Sequence, residues 1–120
     1  MRIALLALFA IGITAKPVFA QCEDKKATAD QIECLGTALK KADAELNRIY
    51  QNTRKELSPE DAARLRKAQR AWLAYRDAQC DAEQKHYEGG SIAPVLFARC
   101  RLALTQRRSK EIKETYTPLH

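Results

Sequence analysis

Four cysteines, Cys22, Cys34, Cys80 and Cys100, and two histidines, His86 and His120, are the side chains best suited to ligate a metal, form a crosslink or attack a substrate. No two cysteines form a CxxC pair and neither histidine stands at zinc-ligand spacing from one, so two disulfides are expected in place of a metal centre. Oxidation would also remove the thiol as a nucleophile. His86 lies close before Gly89-Gly90 and His120 is the last residue, with no local signature joining either to a nucleophile. Glu60 and Asp61 form a carboxylate pair, but they follow Ser58-Pro59 at what reads as a helix start, where acids offset the macrodipole. Gly89-Gly90-Ser91 lacks the GxxxxGK(S/T) pattern of a phosphate loop and reads as a turn. No catalytic residue, cofactor or metal ligand is therefore expected, and the chain reads as a non-enzyme.

The chain must position these residues with little material. Its 120 residues, 46% hydrophobic and 30% charged, suffice for one small ordered domain and argue against both disorder and a multi-domain enzyme. The first twenty residues assign the compartment. Arg2 precedes an apolar run from Ile3 to Ile13, and Val18-Phe19-Ala20 places small residues at the −3 and −1 positions of a cleavage site before Gln21. This pattern is that of a secretory signal peptide, residues 1–20, removed after Ala20. The run is shorter than the roughly 20 apolar residues that span a bilayer, and Lys16 and Pro17 interrupt it. Gln21 before Cys22 disfavours lipid attachment. Cleavage removes Arg2 and Lys16 and no acid, lowering the formal net charge from +6 to +4. A secreted or periplasmic location makes oxidised cysteines the expected state.

Residues 21–120 read as an all-α domain, an elongated antiparallel three-helix bundle stapled by two disulfides. Thr28 with Gln31 has the form of a capping box, and Ile32, Leu35, Leu39, Ala42, Leu46, Ile49, Thr53 and Leu57 recur at helical spacing. Ser58 serves as N-cap of a second helix, with Pro59 at its first position. That helix carries Leu65, Ala68, Trp72, Tyr75, Gln79 and Glu83 on one face and runs to about Tyr87. Gly89-Gly90 stops it. Ser91 is expected to cap a third helix with Pro94 in its first turn and Ile92, Leu96, Cys100, Ala103 and Leu104 on its apolar side.

Residues equidistant from a hairpin turn face each other in antiparallel helices, and Cys80 and Cys100 are symmetric about Gly90. Each stands about 15 Å from the turn at 1.5 Å per residue, which favours an 80–100 disulfide and leaves 22–34 as the second. The competing arrangement joins 34 to 80 and 22 to 100. About the Ser58-Pro59 turn Cys34 would face position 83, a mismatch of about 4.5 Å, so it ranks second.

Arg76 and Arg107 fall on or beside the apolar stripes of their helices. A half-buried guanidinium needs acceptors, and Asp43 and Glu45 flank the level expected opposite Arg76, so an internal ion pair is expected. Trp72 and Tyr75 are assigned to the core, since a short bundle needs large side chains. Arg99, Arg101, Arg107, Arg108, Lys110 and Lys113 make the third helix basic. They spread around it, so nucleic acid is not an expected partner, and an anionic envelope surface is the alternative to a solvated face. Apolar surface at helix ends leaves room for a homo-oligomer.

A longer pattern joins these pieces: Cys22 and Cys34, Ala44-Glu45-Leu46-Asn47 with Tyr50, Gln69-Arg70-Ala71-Trp72, Tyr75-Arg76-Asp77-Ala78 with Cys80, Gly89-Gly90-Ser91, then Cys100, Leu104-Thr105 and Arg107. Over Cys22 to Ile112 it resembles the lysozyme-inhibitor LprI-like family of small bacterial envelope proteins. The resemblance implies a secreted, helical, disulfide-bonded binding protein, with Trp72, Arg76, Asp77, Gly89, Gly90, Ser91 and Arg107 as motif residues. It also implies lysozyme as a partner, inhibited by occlusion of its cleft. Asp24, Asp30 and Glu33 near the first disulfide, and Glu56, Glu60 and Asp61 at the first hairpin, are the acidic clusters able to approach a basic enzyme, and the hairpin is the preferred contact. The alternative is a structural or stress-related envelope component that binds anionic lipid or polymer through the basic helix.

Overall fold

The computed structural model describes residues 17–117, which form four helices and no strand: α1 (Val18–Glu23), α2 (Thr28–Glu56), α3 (Pro59–His86) and α4 (Ala93–Tyr116). The apolar run expected to belong to a signal peptide, and His120, lie outside the described residues. The three long helices follow the expected spans closely. The addition is α1, a helix of six residues across the expected cleavage site, tied back by Cys22–Cys34.

Ser58 caps α3 as its sequence position requires, its Oγ accepting from the Asp61 N–H at 3.1 Å, with Pro59 opening the helix. The two other expected caps are corrected. Ala27 is the N-cap of α2 and Thr28 makes no cap bond; Gln31 Nε2 instead donates to the Lys25 carbonyl at 2.8 Å, holding the α1–α2 connection against the helix. Ile92 is the N-cap of α4, so Ser91 does not cap it and lies in the turn. Gly89 has φ +91, a backbone conformation that a side chain disfavours, and Gly90 N–H donates to the Tyr87 carbonyl at 3.2 Å.

The helices are not equal partners. α4 packs most extensively on α2, less on α3, and α2 and α3 touch each other sparsely. As α2 and α4 each run antiparallel to α3, they run parallel to one another, with α4 as the central element. Leu102 and Val95 meet Leu35, Cys22 and Phe19 at one end, and Ile112 meets Leu46 and Ile49 at the other. Cys80, Cys100 and Leu104 form a third cluster, between α3 and α4, against Trp72 and Phe97.

The buried face of α3 is rotated from the expected stripe. Leu65, Gln69, Arg76 and Cys80 are inside, whereas Ala68 and Glu83 are exposed and Tyr75 is 54% exposed. Tyr75 is therefore not a core residue.

Candidate functional site

Where the three long helices converge, the core turns polar. Arg76, only 6% exposed, donates from Nη1 to Asp43 Oδ1 on α2 at 3.2 Å and to Thr105 Oγ1 on α4 at 3.3 Å. Its Nε donates to Asp77 Oδ1 at 3.1 Å. The expected internal ion pair thus forms with Asp43, while Glu45 points its carboxylate at Arg48. One guanidinium joins three helices, and the hydrogen bonds offset its desolvation.

The second buried arginine is Arg108, not Arg107. Arg108 donates from Nε to Gln69 Oε1 at 3.0 Å and pairs with Glu111 at 3.2 Å. Trp72 lies between the two cations, with the guanidinium carbons of Arg76 and Arg108 at 5.4 and 5.9 Å from its ring. That geometry is a pair of cation–π contacts away from bulk water, and Trp72 contributes to two of the three core clusters. Arg107 is exposed and faces Tyr75 across an open groove of about 400 Å³ between α3 and α4.

The expected cysteine pairing is the one formed: Cys22–Cys34 with Cα atoms 5.6 Å apart and Cys80–Cys100 with 5.5 Å. Asp77, largely exposed, accepts from Arg76 and lies 3.8 Å from Arg101, so it couples the polar layer to the surface of α4. Gly89, Gly90 and Ser91 stand apart from it in the α3–α4 turn. These motif residues therefore serve two ends of the hairpin and do not gather into a single pocket.

The basic character of α4 is largely cancelled within the molecule. Arg99 pairs with Glu23 at 2.7 Å, Arg101 with Asp77, and Lys110 with Glu114 at 3.7 Å, while Arg108 is buried. At the α2–α3 turn Glu60 and Asp61 both face Arg64, at 3.7 and 2.8 Å, and Glu56 is exposed without an ion pair. The carboxyl of Glu45 is held below its ordinary range chiefly by the hydrogen bonds from Arg48, and the Asp81 hydrogen bond raises the Lys85 ammonium.

Two clefts flank α2. A groove of about 860 Å³ runs between α1, α2 and α4, with Asp30 and Glu33 beside Lys25 and Lys41. A second, of about 490 Å³, opens between α2 and α3 where those helices part, lined by Asn47, Tyr50, Arg66, Arg70 and Leu73 with Arg76 and Asp43 also on its wall. Arg66 is not singled out by the sequence and Arg70 enters only within the Gln69-Arg70-Ala71-Trp72 pattern; their i,i+4 spacing on a face of α3 without nearby acids was the available signal. Among the described residues no three or more His, Cys, Asp or Glu side chains gather in a metal-binding group, and His86 packs edge-on against Tyr87 at 4.9 Å.

The family described as Lysozyme inhibitor LprI matches residues 21–112. An uncharacterised protein of Rhizobium meliloti (strain 1021) is 38% identical over 132 aligned residues, which cover 95% of each chain. No solved structure matches. The matched region takes in both disulfides, the polar layer and both hairpin turns, and the chain belongs to the lysozyme inhibitor LprI family.

Proposed function

We propose that this chain is a non-enzymatic inhibitor of a peptidoglycan-degrading lysozyme, released to the periplasm or cell exterior after cleavage behind Ala20. The inhibitor occludes the enzyme's cleft with the end of the α2–α3 hairpin. Family membership over residues 21–112 is the observation that carries the reading. Physical support comes from the hairpin itself. Its turn is two residues, Leu57 and Ser58, fixed by the Ser58 cap, so two helix ends present Glu56, Glu60 and Asp61 on a narrow, ordered projection. A preordered projection loses little entropy on entering a cleft.

The test is a titration of the oxidised, processed protein against c-type, g-type and i-type lysozymes at two salt concentrations, with residual muramidase activity read in parallel. Stoichiometric binding with loss of activity is expected for at least one class. Reversing the charge at Glu60 and Asp61 should weaken that complex, and unchanged affinity would reject the hairpin end as the contact. Absence of binding to every class would reject inhibition itself. Mass spectrometry of the exported protein should give Gln21 as its first residue.

A further inference from the structure

The cleft between α2 and α3 has an electrostatic imbalance that the inhibitor reading does not use. Six described arginines, Arg48, Arg64, Arg76, Arg99, Arg101 and Arg108, hold carboxylates. Four hold none, and three of these gather here: Arg66 and Arg70 on the wall of the cleft, and Arg54, stacked 5.4 Å from the ring of Tyr50, which also lines it. The Nε of Arg54 is buried without an acceptor. Asp43 is the acid on that wall, and Arg76 already engages it. Arg76 itself is more than nine-tenths buried, yet its hydrogen bonds leave from Nε and Nη1, so both Nη2 protons remain unspent on protein acceptors. Like charges at i,i+4 on one helix repel weakly.

We propose that this cleft binds a short acidic peptide, gripping two of its carboxylates with Arg66 and Arg70. Guanidinium forks bind carboxylates in a bidentate manner, and two long arginine side chains rooted four residues, about 6 Å, apart along the helix can reach the two acid groups of a C-terminal glutamate. The rest of the wall suits a peptide better than a bare ion. The Asn47 amide supplies a donor and an acceptor for a peptide bond, while Tyr50 and the partly exposed Leu73 offer an apolar surface to a side chain. The volume, about 490 Å³, lies within the roughly 300–1,000 Å³ of small-ligand sites and is too small for a folded partner. This site is separate from the lysozyme contact and does not rest on it.

Isothermal titration of the oxidised, processed protein with the tripeptide Ala-Ala-Glu is the direct test. Saturable one-to-one binding is expected, weakening by about tenfold or more for the amidated peptide Ala-Ala-Gln-NH2 and with rising salt. Arg66→Gln with Arg70→Gln should abolish it, whereas Arg107→Gln, which alters the arginine outside the cleft, should leave it unchanged. Both substituted arginines are exposed on α3, and an unaltered circular dichroism melt would establish that the double variant folds. No binding of Ala-Ala-Glu, equal binding of the amide, or binding that survives the double substitution would overturn the proposal. Inorganic phosphate binding as tightly as the tripeptide would also overturn it, in favour of an unselective anion site. Because the lysozyme titration uses a different ligand and different residues, either result can fail without the other.

Discussion

Arg76 Nη1 reaches Asp43 Oδ1 at 3.2 Å, and this bond ties together the two long helices that otherwise touch least. The two ends of the bond are not equivalent. Arg76 is buried, lies over Trp72 and serves Thr105, whereas Asp43 keeps 42% of its side chain exposed.

Arg76→Ala should therefore cost about 2–4 kcal/mol, because it removes packing on Trp72 and leaves the buried Thr105 hydroxyl without this donor. Asp43→Asn should cost about 1 kcal/mol or less, since water already screens that carboxylate. Urea denaturation of both variants measures the ratio. Equal losses would mean that the ion pair, not the packing and desolvation of the guanidinium, holds this layer.

Adjacent arginines on α4 give a sharper contrast. Arg108→Ala should destabilise by about 1–3 kcal/mol through loss of the Gln69 bond and the Trp72 contact, while Arg107→Ala should stay within about 0.5 kcal/mol of the parent. Thermal melts of the two single variants decide it. A reversed order would place Arg107 inside the bundle in solution.

The error over these two arginines shows how far the sequence could be read. An apolar stripe assumes one buried face, which fits α2, where Leu35, Leu46 and Ile49 are buried as expected. The central α4 packs on two neighbours and buries Val95, Leu102, Thr105, Arg108, Ser109 and Ile112 as well as Cys100 and Leu104, so no single stripe describes it. On α3 Arg76 is buried as its place beside the stripe implied, but the buried face also contains Gln69, a polar residue that an apolar pattern passes over in favour of Ala68 and Tyr75. Local chemistry and chain geometry were legible in part: the Ser58 cap, the Gly89 turn and the pairing of Cys80 with Cys100 by symmetry about Gly90 formed as expected, whereas the caps expected of Thr28 and Ser91 did not. The α2–α3 cleft was not, because it depends on how far two helices separate along their length.

The disulfides should fail differently. Each closes a short loop, of sequence separation 12 or 20, and in the chain-entropy model each contributes about 3 kcal/mol. Cys80 and Cys100 sit in the core between α3 and α4, so replacing both with Ala should lower the global melting temperature. Cys22–Cys34 anchors only the short α1. Replacing that pair should chiefly release the segment before α2, giving faster tryptic cleavage at Lys25 and Lys26 than the 80–100 variant shows. Equal cleavage rates would show that the segment before α2 is held in place without the Cys22–Cys34 crosslink.

Glu45 allows a test of the surface electrostatics by pH. Its carboxyl is depressed first by the bidentate hydrogen bonds from Arg48, at 2.9 and 2.7 Å, and only then by the charges of Arg48 and Lys113. A carboxyl whose folded value lies below its unfolded value favours the folded state above the unfolded value. That contribution fades as pH falls through the folded one. Both side chains are solvent-exposed, so the readable quantity is the titration midpoint itself and not a change in stability. Carboxyl carbon NMR should give Glu45 a midpoint below the ordinary glutamate range. Arg48→Gln should return it to the ordinary range, and Lys113→Gln should move it less, because the Lys113 charge is the weakest of the causes. A midpoint indifferent to Arg48→Gln would mean that the two side chains do not share hydrogen bonds in solution.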